Sequence, residues 1–144
     1  PKTNLFSVTS DTIDVFALAD DMKAKGWYIQ PQFGFSNSPA NVHLSVGASN
    51  APHVEAFIRD LAECEADLRE RNVTGLREVP PEVQAMLESC TGGDVLAILA
   101  EATGIDPDRL PERMDSINNL LNQMPAPVRD TLLADYVNRL YSND

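Results

Sequence analysis

The side chains able to do chemistry in this chain are few and scattered. There are three lysines, Lys2, Lys23 and Lys25, two histidines, His43 and His53, and two cysteines, Cys64 and Cys90. A lysine serves as a covalent nucleophile only where apolar surroundings or a neighbouring cation depress its pKa. Lys2 lies near a terminus, and Lys23 and Lys25 close a charged helical pattern where cations suit the helix dipole. All three read as solvated surface groups. His53 falls in the first turn of a predicted helix and reads as exposed. His43 has no acid nearby in sequence to orient it as a base. The two histidines stand ten residues apart with no Cys, Asp or Glu at ligand spacing, so no metal site is expected. The cysteines form no Cys-x-x-Cys pair and read as half-buried thiols in a reducing compartment, with a disulfide as the other reading. Phosphate-binding glycine loops, His-Glu-x-x-His and Gly-x-Ser-x-Gly do not occur. No catalytic or cofactor-binding set is therefore expected within these residues.

One stretch is unusual in composition. Trp27 to Phe35 reads Trp-Tyr-Ile-Gln-Pro-Gln-Phe-Gly-Phe and holds four of the nine aromatic residues. It is either core packing plus a loop folded on its own side chains, or a lip over a ligand cleft supplied by another domain. Loops on a rigid scaffold often carry such a function.

The elements that position these residues follow from periodicity. Leu5–Thr9 is rich in strand formers, and Ser10-Asp11 offers a capping signal. Residues 12–25 predict a helix, with Val15, Leu18, Ala19 and Met22 at helical spacing on one side. Gly26 stands where a helix end favours a left-handed residue. Trp27–Gln30 predicts a short strand, and residues 31–41, with two prolines, a loop. Val42–Val46 is the clearest strand, with Val42, Leu44 and Val46 on one side and His43 and Ser45 on the other. If the free face of the sheet is covered by another domain, His43 lies at that interface. Asn50 and Pro52 open a helix running to about Arg71, with Val54, Phe57, Ile58, Leu61 and Leu68 on one stripe.

This order predicts an α+β fold: a small βαββα sandwich over residues 1–72, with a three-stranded sheet and two helices on one face. Residues 73–144 show no strand pattern. Proline and glycine divide them into short helices, an all-helical C-terminal extension.

Composition bounds the function. The 144 residues carry 11 Lys plus Arg against 22 Asp plus Glu, a net charge of −11. Residues 1–72 carry 6 basic and 10 acidic side chains (−4), and residues 73–144 carry 5 and 12 (−7). Nucleic acids and anionic lipids need clustered cations, so neither is an expected partner. The longest apolar run, Val95–Ala100, is six residues, against the roughly 20 a spanning helix needs. No basic segment precedes an apolar one as in a signal peptide, so a cytoplasmic location is expected. Pro1 stands without an initiator methionine, which suggests a processed chain or a piece of a longer one.

The segments "TIDVFALADDMKAKGWYIQPQ" and "NVHLSV", followed by a long amphipathic helix, resemble the C-terminal small domain of pyridoxal-phosphate-dependent decarboxylases of fold type I, the sphingosine-1-phosphate lyase-like group in particular. The resemblance covers about residues 3–72. It rests on Asp14 and Leu18, Gly26-Trp27, Gln32-Phe33, Val42-His43-Leu44, and Phe57 with Asp60-Leu61. It implies that pyridoxal 5'-phosphate belongs to the parent protein and is bound outside this segment, in a large domain. It implies no catalytic residue here. The small domain would close and shape the active-site cleft of a carbon–carbon lyase or decarboxylase, itself a homodimer, with Gln32, Phe33 and Phe35 nearest the cleft and His43 at the domain interface. The loop "FGFSNSPAN" is longer than the family pattern. The competing reading is a stand-alone α+β ligand-binding or oligomerisation module with no catalysis.

Overall fold

The computed structural model describes residues 4–74, Ala85 and residues 111–141. Its elements are β1 (Leu5–Val8), α1 (Val15–Ala24), β2 (Gln30–Gln32), β3 (Asn41–Ser45), a 3-10 turn (Ala51–His53), α2 (Val54–Glu70), α3 (Asp115–Gln123) and α4 (Ala126–Tyr141). This is the α+β fold the alternating patterns predict. The sheet order is β1-β3-β2, and both pairings are antiparallel. The central strand is β3, pairing Phe6 with Leu44 on one side and Pro31 with Val42 on the other.

The chain divides into two compact units. The first is Pro1–Arg77 together with Met114–Asn122; the second is Glu78–Arg113 together with Gln123–Asp144. The short helices predicted between residues 73 and 111 lie largely outside the described residues, as do Cys90 and Lys2.

Helix α1 is the keystone of the first unit. The Asp14 carboxylate caps it, accepting from the Phe16 and Ala17 backbone N–H groups at 2.8 and 3.4 Å. The Ser10 hydroxyl that the sequence offers as a cap accepts instead from Thr12 and Ile13 N–H at 3.2 Å, closing the turn before the helix. The cap is Asp14 because the helix begins at Val15, which places its carboxylate at the free N–H groups and the positive end of the dipole. At the far end Gly26 takes φ +90°, and its N–H and that of Trp27 bond to the Lys23 and Met22 carbonyls at 2.9 Å. That closure needs glycine.

The core lies between the sheet and the helices. Val15, Leu18, Ala19 and Met22 of α1 pack with Ile29, Val42, Cys64 and Leu68. The stripe predicted along α2 drifts: Leu68 is fully buried, while Val54 and Ile58 are 46% and 56% exposed. The cause is the position of α2 relative to the short sheet. Its C-terminal half lies on α1, and its N-terminal half runs on beyond that cover. An ion pair at 2.6 Å between Arg71 and Asp21 joins the two helices, and Lys25 meets Glu63 at 3.1 Å.

The second strand also moves. It forms at Gln30–Gln32 rather than Trp27–Gln30. Pro31 is tolerated because β2 is an edge strand, where a missing N–H need not break a ladder. Trp27 is engaged elsewhere. Its indole N–H donates to Asp60 at 2.8 Å, and its ring meets Phe57 edge-on at 5.4 Å.

The Trp27 bond makes the unit acid-sensitive. The indole N–H holds the Asp60 carboxyl below its ordinary range; desolvation by burial opposes it, and the Arg59 guanidinium adds a lesser lowering effect. A depressed folded pKa contributes stability that is present above the unfolded value, about 3.9, and lost as pH falls through the folded value. Trp27 is the single tryptophan. Its emission should therefore change as pH falls below about 4, and Asp60→Asn should abolish that change. An identical acid profile in the variant would refute the assignment.

Candidate functional site

The loop between β2 and β3 carries the aromatic residues that composition singled out. Gln32 is half-buried at the end of β2, opposite Asn41. Phe33 turns inward, its ring 5.9 Å from Phe16 of α1 at 55°. Phe35 turns outward and is 76% exposed. Between Phe35 and Ser38 the chain reverses in a two-residue turn, with reciprocal backbone bonds of 2.9 Å. Ser36 takes φ 55° to make it, a conformation that hairpin turns of this length require. The structure thus separates the three loop residues. Phe33 anchors the loop, Gln32 begins it, and Phe35 is presented at its tip.

Three bonds secure the loop. The Thr9 hydroxyl donates to the Ala40 carbonyl at 2.9 Å. Asn41 Nδ2 donates to the Pro39 carbonyl at 3.1 Å. The Gly34 N–H donates to Asn122 Oδ1 at 2.7 Å, across 88 positions of sequence. Beside this loop Ser10, Asp11, Ser38, Pro39, Ala40 and Asn122 line an open recess of about 450 Å3 of mixed polar and apolar surface.

His43 lies half-buried on the sheet face away from Val42, flanked by Ser7 on β1 and Gln30 on β2. Ser45 and Leu5 complete that row. It is a largely polar face. Apolar exposure concentrates elsewhere, in a groove of about 210 Å3 between the sheet and the start of α2, lined by Phe6, Trp27, Leu44, Val54, Phe57 and Ile58. The sequence signal for this groove was present in the Val54/Ile58 half of the α2 stripe, but periodicity does not say which part of a stripe is covered.

Lys25 is raised in pKa, chiefly by its bond to Glu63, the reverse of what a covalent lysine needs. Lys23 is exposed in the last turn of α1. Burial pushes the Cys64 thiol up, away from the reactive thiolate. Among the described residues no three His, Cys, Asp or Glu side chains converge as a metal site, and no helix is long and apolar enough to cross a membrane.

Two buried carboxylates do have a role that sequence reading missed. Asp20 accepts from the Met114 and Asp115 backbone N–H groups at 2.7 and 2.8 Å, capping α3 from 94 residues away. Asp14 accepts from the Asn119 side chain with its second oxygen. No local pattern marks Asp20, because position 20 lies off the stripe of Val15, Leu18, Ala19 and Met22.

The described residues form a small α+β layer together with the helices α3 and α4. Residues 81–139 match the family model described as "Pyridoxal-dependent enzyme, C-terminal putative HTH domain". The chain is also similar to the sphingosine-1-phosphate lyase of Arabidopsis thaliana, at 28% identity over 109 residues, covering 76% of this chain and 16% of that protein. No solved structure matches. Together the two matches support a C-terminal domain of a pyridoxal-dependent enzyme. The family model falls on the helical half, whereas the resemblance read from the sequence rested on residues 3–72; the 109-residue match extends into both.

The described residues do not fit the cofactor itself. Its covalent attachment needs a lysine of lowered pKa, and its phosphate needs clustered donors. Lys25 is raised in pKa rather than lowered.

Proposed function

We propose that this chain is the C-terminal portion of a pyridoxal-phosphate-dependent carbon–carbon lyase or decarboxylase, and that it closes and shapes an active-site cleft formed by a large domain. The observation that carries this reading is the match to the Arabidopsis lyase, which covers three quarters of this chain but only 16% of that protein. An α+β layer over residues 1–72 and a helical extension over residues 73–144 divide the labour. The β2–β3 loop, with Gln32, Phe33 and Phe35, forms the lip of the cleft, and Phe35 is the side chain exposed enough to touch substrate. His43 on the polar sheet face borders the neighbouring domain. The parent acts as a cytoplasmic homodimer.

Nucleic acid is not a partner, despite the HTH label of the matching family. Residues 81–139 contain 4 basic and 10 acidic side chains, a net of −6. A phosphate backbone would be repelled by that surface.

The test uses the full natural gene product carrying this segment. It should be several times longer than 144 residues and show the visible absorbance of bound pyridoxal phosphate, lost on borohydride treatment. In that enzyme Phe35→Ala should change substrate KM or kcat several-fold. A gene product with no chromophore would overturn the reading and favour a stand-alone binding module.

A further inference from the structure

The β2–β3 loop is held by a residue that belongs to neither β2 nor β3. Asn122 Oδ1 accepts the Gly34 N–H at 2.7 Å, at the point where the loop leaves Phe33 for its tip. The approach is close. A Cβ on Gly34 would lie 3.2 Å from the Ser38 carbonyl oxygen, 3.4 Å from the Ala40 nitrogen and 3.5 Å from Asn122 Oδ1. Glycine at position 34 therefore lets the loop fold back on itself and meet the amide from α3.

Asn122 is in turn fixed along its helix. Asp20 holds the first turn of α3 through the Met114 and Asp115 N–H groups, and Asp14 holds its middle through Asn119. Asp14 and Asp20 both stand on α1, as does Phe16, which packs on Phe33. Loop and helix thus share one support. Asn122 is also the last residue of the first compact unit, and the chain passes into the second at Gln123. The helix that carries the latch thus ends at one of the three points where the chain crosses between the two units.

From this we propose that Asn122 is a positioning residue for the β2–β3 loop, so that α3, a part of the family-matched helical region, sets the conformation in which Phe35 is presented. The inference rests on the reading of that loop as the cleft lip for its functional consequence, but not for its structural content.

The experiment is amide hydrogen exchange on the full chain, resolved at Gly34. In the wild-type chain the Gly34 amide should exchange at least tenfold more slowly than the amide of Asn37 in the exposed turn. Asn122→Ala should remove that protection while α1 amides keep theirs, and Asn122→Asp, which preserves an acceptor oxygen, should retain it. Wild-type exchange at Gly34 as fast as at Asn37 would overturn the proposal, whatever the variants do; so would unchanged protection in Asn122→Ala. In the full-length enzyme with its cofactor, Asn122→Ala should shift KM or kcat several-fold and Asn122→Asp should restore it. Lost protection with unmoved kinetics would leave the latch standing and overturn the lip reading instead.

Discussion

A chain ended at Arg77 is expected to lose cooperative thermal unfolding. It would still contain β1, α1, β2, β3 and α2, the whole α+β pattern legible in the sequence. What it would lack is Met114–Asn122, which belongs to the same compact unit. Removing that segment strips Asp20 of two backbone donors and Asp14 of its Asn119 partner. Hydrogen bonds to charged groups contribute about 1.5–3 kcal/mol each, against a total stability of about 5–15 kcal/mol for an ordinary domain. Losing three of them, in a unit already small enough to be marginal, removes most of the margin. Far-ultraviolet circular dichroism should show residual helix melting over a broad range without a shared midpoint. A sharp transition within about 5 °C of the full chain, the shift expected of only about 1 kcal/mol, would mean that α3 is an accessory rather than part of the core.

The second large effect lies in α2. Leu68 is fully buried and packs in the core beside Met22 and Cys64. Leu68→Ala should cost about 2–5 kcal/mol in urea denaturation, the sum of lost transfer energy and the cavity left behind. Ile58→Ala, ten residues earlier on the same predicted stripe, should cost under about 0.5 kcal/mol, because Ile58 is 56% exposed. Equal losses at the two positions would show that the groove along the start of α2 is closed in solution.

That pair shows what periodicity can and cannot say. The stripe Val54, Phe57, Ile58, Leu61 and Leu68 is real, but burial also depends on how far the neighbouring elements reach. Helix α1 is 10 residues long and α2 is 17, so part of the longer helix runs past its cover. The result is an apolar groove at one end and a packed core at the other. The aromatic loop teaches the same lesson. Phe33 and Phe35 are alike by type and separated by one glycine, yet one packs on Phe16 and the other faces solvent. An extended chain would place positions 33 and 35 on one side; the turn at Phe35–Ser38 and the position of α1 send them to opposite ones.

The sequence by itself determined the local elements that repeat a short-range pattern: α1 from its i, i+3, i+4 spacing and Gly26, β3 from the alternation of Val42, Leu44 and Val46, and α2 from its long amphipathic run. Tertiary structure alone decided the rest. The second strand settled at Gln30–Gln32 because Trp27 was drawn to Asp60, 33 residues on. Helix α3 joined the first unit because Asp20 and Asp14 cap and clamp it from α1. Asn122 became the anchor of a loop 88 residues before it. Such contacts pair groups that are remote in sequence, and a polar side chain gives no sign, in the residues beside it, of the distant N–H it will accept.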